Sequence, residues 1–322
     1  MSLLPAPSRV PAAFFGIVLG LGGLGSAWRV AHRVWGLPAE IGEALMLVAA
    51  IVWAVLVALY IGKWIYARAE ALGELSHPVQ CCFVGLIGVT TILIGGAALP
   101  YSYPVAATLF VLGAAFTLAF AVWRTGGLWQ GGRDPTTTTA VLYLPTVAGS
   151  FVTAAGAAGL GFAELAQMAF GAGVLSWLAI ESVLLHRLYT VAMLPAPMRP
   201  TLGIQLAPAT VGAVAYLSIT VGTPDIVAHM LLGYGLLQAL VLLRLLPWIR
   251  QQSFAPSYWA FTFGTTALSI APLRMVERGD GGAIALLAPV LFVGANLVVG
   301  LIAVGTVRLA LQRRLLPAPV AA

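Results

Sequence analysis

Charge is what this chain has least of: only 8% of its 322 residues are Asp, Glu, Lys or Arg, against roughly 25% in a soluble domain. Such a chain cannot cover itself for water, which excludes a soluble enzyme, a nucleic-acid binder and a disordered protein. Cysteine is nearly absent as well. Cys81 and Cys82 are neighbours, a spacing that disulfide geometry rarely accommodates and that argues against a metal or iron–sulfur cluster. No paired histidines, carboxylate cluster or nucleophile with its base occurs in the apolar stretches, so the sequence reads as a non-enzyme without a cofactor or metal. Period-two alternation is missing too: Val48 to Tyr60 and Leu231 to Leu243 do not alternate, so helices rather than barrel strands are the solution in lipid.

What the chain has is apolar length. Hydrophobic residues make up 61% of it and its mean hydropathy is +0.99. Runs punctuated by charge, Pro and Gly predict ten membrane spans, at 12–32, 40–66, 79–99, 101–122, 139–160, 163–185, 202–220, 225–246, 256–275 and 282–310. Arg9 ahead of the first run, with Ser26 and Ala27 beyond it, imitates a secretory signal. One positive charge is a thin start for one, and similar spans follow, so the run is read as a helix of the mature protein. The expectation is one transmembrane domain over 1–322, with short tails at about 1–11 and 312–322.

The formal charge of +6 and pI near 9.7 are topology signals and do not imply nucleic acid as a partner. With ten spans, the tails and every second connection carry twelve of the sixteen basic residues, leaving Arg29, Arg33, Arg274 and Arg278 on the other side. The positive-inside bias then puts both termini in the cytoplasm. Connections on the outer side are tight, near Pro100, Gly161 and Pro224, so the chain parses as five helical hairpins.

A helix-weakening residue falls inside each odd span: Gly16 and Gly20, Gly85 and Gly88, Pro145, Pro208, and Gly264. Five broken helices predict an inner ring around a cavity, or reflect ordinary close packing through small residues. The odd spans carry Thr90, Thr91, Ser150, Thr153, Gln205, Thr210, Thr262, Thr265 and Thr266 but almost no charge. A cation path would show acidic rings and a proton pump a carboxylate or histidine chain. The expectation is therefore a neutral, hydroxyl-lined conduit with basic mouths, suited to anions.

At these segments the sequence resembles the slow anion channel and malic acid transport protein family, which takes in bacterial tellurite-resistance proteins of the TehA type, plant guard-cell channels and fungal transporters. The resemblance is carried by FGIVLGLGGLGSAW from Phe15, LWQGG from Leu128, FGAGVLSWLAIESVLL from Phe170, LAPATVGAVAYLSI from Leu206, GYGLLQALVLLRLLPWI from Gly233 and WAFTFG from Trp259. It implies an all-α protein of ten transmembrane helices, in five quasi-repeated hairpins around a central pore. It also implies a homotrimer in a bacterial inner membrane, in which each subunit passes small inorganic anions through its own pore. The family's pore is closed by a phenylalanine, here Phe263 packed on Gly16, with Phe261 as the alternative. Helix bends are expected at Gly88, Pro145, Pro208 and Gly264. Where relatives tend to have proline in the first and third helices, this chain has Val18 and Gly88, so a bend in the first rests on Gly16 and Gly20.

Glu181 is the outstanding intramembrane carboxylate. It either couples a proton to transport, in a carrier of dicarboxylate, sulfite or tellurite, or pairs structurally with Arg244. His229 stands alone and makes a poor metal site. Thr136 to Thr139, after Asp134 and Pro135, read as a loop and helix start.

Overall fold

The computed structural model describes residues 10–316, so Arg9 and much of both expected tails lie outside the described residues. Among the described residues the chain is helical, with no strand. Its α-helices are α1 (Phe15–Trp35), α2 (Ala39–Tyr66), α3 (Arg68–Ser76), α4 (Cys81–Val84), α5 (Leu86–Ala98), α6 (Tyr103–Trp129), α7 (Gly149–Gly159), α8 (Ala163–Thr190), α9 (Ala207–Ile219), α10 (Ile226–Ile249), α11 (Thr262–Glu277) and α12 (Gly282–Leu311). Their ends follow local chemistry. Gly36, at φ 68°, closes α1 in the left-handed conformation just before Pro38. Asp225 caps α10, accepting from the amides of Val227 and Ala228 at 3.0 and 3.1 Å.

Among the described residues, nine segments are long and apolar enough to cross a membrane. They overlap nine of the expected spans, with ends that differ by at most seven residues, and leave out the ninth. Positions 256–275 are helical in two pieces, a 3-10 turn at Pro256–Phe261 and then α11. Tyr258, Trp259 and the threonines at 262, 265 and 266 make that stretch less apolar than the others, and it is not among the nine. Two boundaries also differ. The connection between the expected spans 101–122 and 139–160 begins late, because α6 continues to Trp129 and ends at Gly131 and Gly132, both at positive φ. The unforeseen α3 buries Ala71 and Glu74.

Burial divides the long segments into two classes. The windows of Ala12–Trp35, Cys81–Ala98, Ala140–Gly159 and Ala196–Ile219 are 67–72% buried, whereas those of α2, α6, α8, α10 and α12 are only 22–28% buried. α11 joins the first class, with most of its residues buried. The buried segments touch one another in a closed sequence: α1 on α5, α5 on α7, α7 on α9, α9 on α11, and α11 back on α1. Each also packs on its chain neighbour in the exposed class, α1 on α2 through to α11 on α12.

All five buried segments start irregularly and finish as regular α-helix. A 3-10 turn at Ala12–Phe14 precedes α1, α4 and Gly85 precede α5, and a 3-10 turn and the π turn Leu144–Ala148 precede α7. Further 3-10 stretches at Ala196–Leu206 and Pro256–Phe261 precede α9 and α11. Pro145 lies inside the π turn, and Pro208 is the second residue of α9. Proline has no amide to donate, which suits a place where the α ladder is interrupted or has just begun. Three of the expected bends do not interrupt an α-helix. α1 runs unbroken from Phe15 through Gly16 and Gly20, and Gly88 sits inside α5 while the interruption falls at Gly85. Gly88 serves close approach: a Cβ there would lie 2.3 Å from Thr117 Oγ1 and 2.7 Å from the Gly113 carbonyl. Gly264 is likewise inside α11, where a Cβ would meet Leu206 Cβ at 2.9 Å.

Candidate functional site

The irregular halves of the buried segments surround a cavity of about 720 Å³. All five contribute to its wall: Gly16 and Leu19 from α1, Leu86 from α5, Val147, Ala148 and Phe151 from the π turn and α7, Ala207, Pro208 and Val211 from the start of α9, and Phe263 from α11. No residue beyond Leu19, Leu86, Phe151, Val211 and Phe263 in those helices lines it. The cavity is a vestibule that stops within the first turn and a half of the regular helices.

Its mouth is built by connections. Glu74, His77 and Gln80 from the α3–α4 region, Met198 and Thr201, Ser257, and Arg314 with Leu315 and Leu316 after α12 all line it. Glu74 is buried and fully engaged: Lys63 Nζ lies 2.8 Å away, the Ala12 amide donates at 2.8 Å and the Tyr60 hydroxyl at 3.2 Å. A buried ion pair is stable only when its remaining lone pairs are filled. Here the filling amide is the one that begins the first buried segment, so the pair fastens that segment to α2 and α3. The Pro78 carbonyl, at the rim, accepts from Arg124 at 2.9 Å and Arg133 at 3.2 Å. Burial pulls the Arg133 guanidinium below its ordinary pKa.

Behind the wall lies a second buried carboxylate. Glu181, on α8, accepts from Trp177 Nε1 at 2.9 Å, Gln205 Nε2 at 2.9 Å and the Tyr234 hydroxyl at 2.8 Å, and also from the Tyr143 hydroxyl. Four donors from four segments saturate its two oxygens. Hydrogen bonds to an ion contribute about 1.5–3 kcal/mol each, enough together to offset burying it. Tyr143 lines the vestibule, so this hub braces the wall from outside.

Comparison with known proteins supplies the family. Residues 9–307 match the family described as SLAC1, voltage-dependent anion channel. The chain belongs to this anion channel family. Within it, the chain is 35% identical over 302 residues to the tellurite resistance protein TehA homolog of Haemophilus influenzae, covering 94% of this chain and 91% of that one. It is 24% identical over 291 residues to the guard cell S-type anion channel SLAC1 of Arabidopsis thaliana, covering 85% of this chain and 51% of that one. Family membership makes the chain an integral membrane channel protein rather than an enzyme.

The residues singled out by sequence for this channel-family chain fall into three groups. Phe263 and Gly16 both line the vestibule, and a Cβ at Gly16 would meet Trp259 Cβ at 3.5 Å. α11 presses on α1 one and two turns later. A Cβ at Gly20 would be 2.5 Å from Thr262 Oγ1, and one at Gly23 would be 2.2 Å from Thr266 Oγ1. Phe261 faces elsewhere, against Gly203 and stacked at 6.2 Å on Tyr258. Pro208 is in the wall, and Pro145 and Gly264 are beside it.

Glu181 and Arg244 are not brought together. Glu181 is buried in its four-donor hub, whereas Arg244 is exposed on α10 and takes part in no ion pair among the described residues. The hydroxyl-lined conduit also needs correcting, since none of the nine polar residues named for it lines the vestibule. Thr90, Thr91, Thr210, Thr262, Thr265 and Thr266 donate to carbonyls three or four residues back, the usual way a helix absorbs a hydroxyl in a dry environment. The wall is apolar instead. Sequence reasoning passed over Glu74 and Lys63, eleven residues apart, although two ionisable groups flanking an apolar run's end were a usable signal. Tyr143 left none.

Proposed function

We propose that this protein is a passive channel for small monovalent anions, made of ten helices as five quasi-repeated hairpins around a pore, with Phe263 as its gate. The observation that carries the reading is the vestibule, walled by all five buried segments and stopping at the level of Phe263. A bulky apolar ring can hold a constriction dry, while the positive edge of an aromatic ring tolerates a passing anion. The deep wall bears no carboxylate, and the Glu74 at the mouth is neutralised by Lys63. Apolar walls favour ions that shed water easily.

A cation stands further along α11, on the helix face that carries Phe263. Arg274 lies eleven residues beyond Phe263, about three turns on and roughly 20° away around the α11 axis. It donates to Ser218 Oγ at 2.6 Å and the Val214 carbonyl at 3.3 Å, with no carboxylate in ion-pair contact. That charge favours an anion leaving the constriction. The vestibule opens at the end of the bundle that carries most of the basic residues, so both termini are assigned to the cytoplasm, in a bacterial inner membrane. Three copies, each with its own pore, complete the assembly.

The deciding experiment records purified protein in planar bilayers under asymmetric chloride, at two pH values. Wild type should be nearly silent and Phe263→Ala should conduct anions strongly at both pH values. An unchanged current in a well-folded Phe263→Ala would overturn the gate. A second reading, a proton-coupled carrier of dicarboxylate, sulfite or tellurite, is favoured by one observation: Tyr143 links the buried Glu181 to the vestibule wall. It requires uptake that depends on a pH gradient and is lost in Glu181→Gln, with no unitary current from wild type or Phe263→Ala.

A further inference from the structure

We infer that a lipid-soluble molecule of the quinone type binds in a groove between α6 and α8, behind the vestibule wall. α6 and α8 each pack on the π turn Leu144–Ala148 and on α7, and they leave a cavity of about 410 Å³ between them. Val122 and Thr125 of α6 form one side, Ala172 and Ser176 of α8 the other, and Thr146 of the π turn with Ser150 of α7 the floor. Both flanking helices show most of their surface outward, so the groove opens sideways into the bilayer. The same turn gives Val147 and Ala148 to the vestibule, which makes floor and wall two faces of one segment.

The hydroxyls of the groove behave unlike most others in the helices. Thr91, Thr108, Ser218, Thr265 and Thr306 each donate to the carbonyl four residues back, which is how a membrane helix absorbs such a group. None of the four in the groove does so. Thr125, Ser150 and Ser176 make no side-chain hydrogen bond among the described residues, and Thr146 Oγ1 is buried with no partner. For two of them the cause is local: the carbonyls four residues before Thr146 and Ser150 belong to the 3-10 turn Ala140–Leu142 and to the π turn, where the α spacing is lost. An unsatisfied hydroxyl beside hydrocarbon is costly, and here four of them line one cavity.

Depth decides what can satisfy them. A Cβ at Gly149 would lie 2.4 Å from Thr117 Cγ2, so the start of α7 is level with Thr117 of α6. Trp129, twelve residues further along α6, is therefore about 18 Å away along the axis. Trp123 and Trp129 are exposed and mark the headgroup level, where tryptophan collects. Thr146 and Ser150, on either side of Gly149 in the chain, thus lie near the middle of a hydrocarbon layer about 30 Å thick. A phospholipid has no oxygen at that depth, and a charged ligand does not settle there. What fits is an uncharged apolar body whose carbonyl oxygens accept from the hydroxyls, and that is the chemistry of a lipid-soluble quinone. The volume lies in the range of small-molecule sites, which are mostly apolar with a few placed polar groups.

The test reads binding, not current, and so stands apart from the channel assignment. Delipidated protein is unfolded thermally in detergent against a fully substituted decylbenzoquinone, whose ring has no free position for a thiol to add, with decylbenzene as the matched apolar probe. A saturable rise in Tm with the quinone and none with decylbenzene is expected. Apparent affinity should weaken about tenfold when Ser150→Ala and Ser176→Ala are combined. Ala172→Phe, at an exposed position of the groove, should abolish the response, and Ala172→Leu takes its place if that variant does not fold. An equal rise with decylbenzene makes the groove a seat for a plain acyl chain and overturns the inference. So does an oligomer that Ala172→Phe breaks apart in light scattering, which makes the groove an interface between copies. Wild-type Tm that ignores the quinone, or variants that respond as wild type does, overturn it equally.

Discussion

The two classes of long helix in this protein are both apolar and do opposite things. α2, α6, α8, α10 and α12 are uninterrupted over 24 to 30 residues and show most of their surface outward. The inner segments are interrupted in every case near their first turns and are mostly buried. In lipid a helix satisfies its own backbone, and an interruption is stable only where protein or water takes up the freed groups. The difference is thus enforced by solvent: outer helices cannot break, and inner ones can. Their breaks coincide with the vestibule, where space is needed.

The largest test of this contrast is the inner Phe263 against its neighbour. Phe263→Ala should raise anion current at least tenfold in bilayers, while Phe261→Ala, which empties a contact with Gly203 outside the vestibule, should leave the closed state intact. Equal effects would erase the distinction between a gate and a packing residue. Next comes the hub that ties the two classes together. Glu181→Ala strands four donors, and its cost should be about 3 kcal/mol or more in reversible unfolding in mixed micelles. Arg244→Ala, on an exposed face, should stay within about 0.5 kcal/mol.

Glycine sharpens the comparison further. Gly23→Ala forces a methyl into Thr266 at the α1–α11 contact and should destabilise by about 1–3 kcal/mol. Gly294→Ala on α12 meets nothing within 4 Å and should be neutral or stabilising, since alanine favours helix by up to about 1 kcal/mol. The smallest effect belongs to the end of an outer helix. The Asp225 carboxyl is held below its ordinary pKa first by the Tyr216 hydroxyl and then by the α10 amides. A depressed folded-state pKa contributes stability that is present above the unfolded value of about 4 and is lost as pH falls below it. Asp225→Asn should therefore flatten the acid limb of the stability profile and lower the neutral plateau slightly.

Much of the fold was legible because hydropathy is a message about solvent. Outer helices read cleanly from Ala39–Tyr66 to Gly282–Leu311, their boundaries set by Pro, Gly and charge. The inner segment at 256–277 is less legible: its threonines and aromatic residues answer to a protein neighbour, so their polarity dilutes the signal for lipid. Gly88 and Gly264 were read as bends because glycine weakens a helix in isolation. Their backbones stay regular, and what they supply is room for α6 and for Leu206. Pro145 carried a firmer message, because a missing amide cannot be repaired by packing. The partners of Glu181 were illegible for another reason. Tyr143, Gln205 and Tyr234 come from three separate segments, and nothing in their local patterns shows that they converge. Arg244 was the obvious charge of opposite sign, but which way its helix turns is decided by contacts spread over the whole of α10.

The placement of Arg314, Leu315 and Leu316 in the mouth of the vestibule gives access to it from the end of the chain. Cys81 and Cys82 are both fully buried, so a cysteine introduced at position 316 would be the thiol that reacts readily with a fluorophore or spin label. A probe there would sample the width and wetness of the mouth directly. Opening could then be timed by spectroscopy, on the same molecules whose currents are recorded, without altering a single residue of the helices that form the wall.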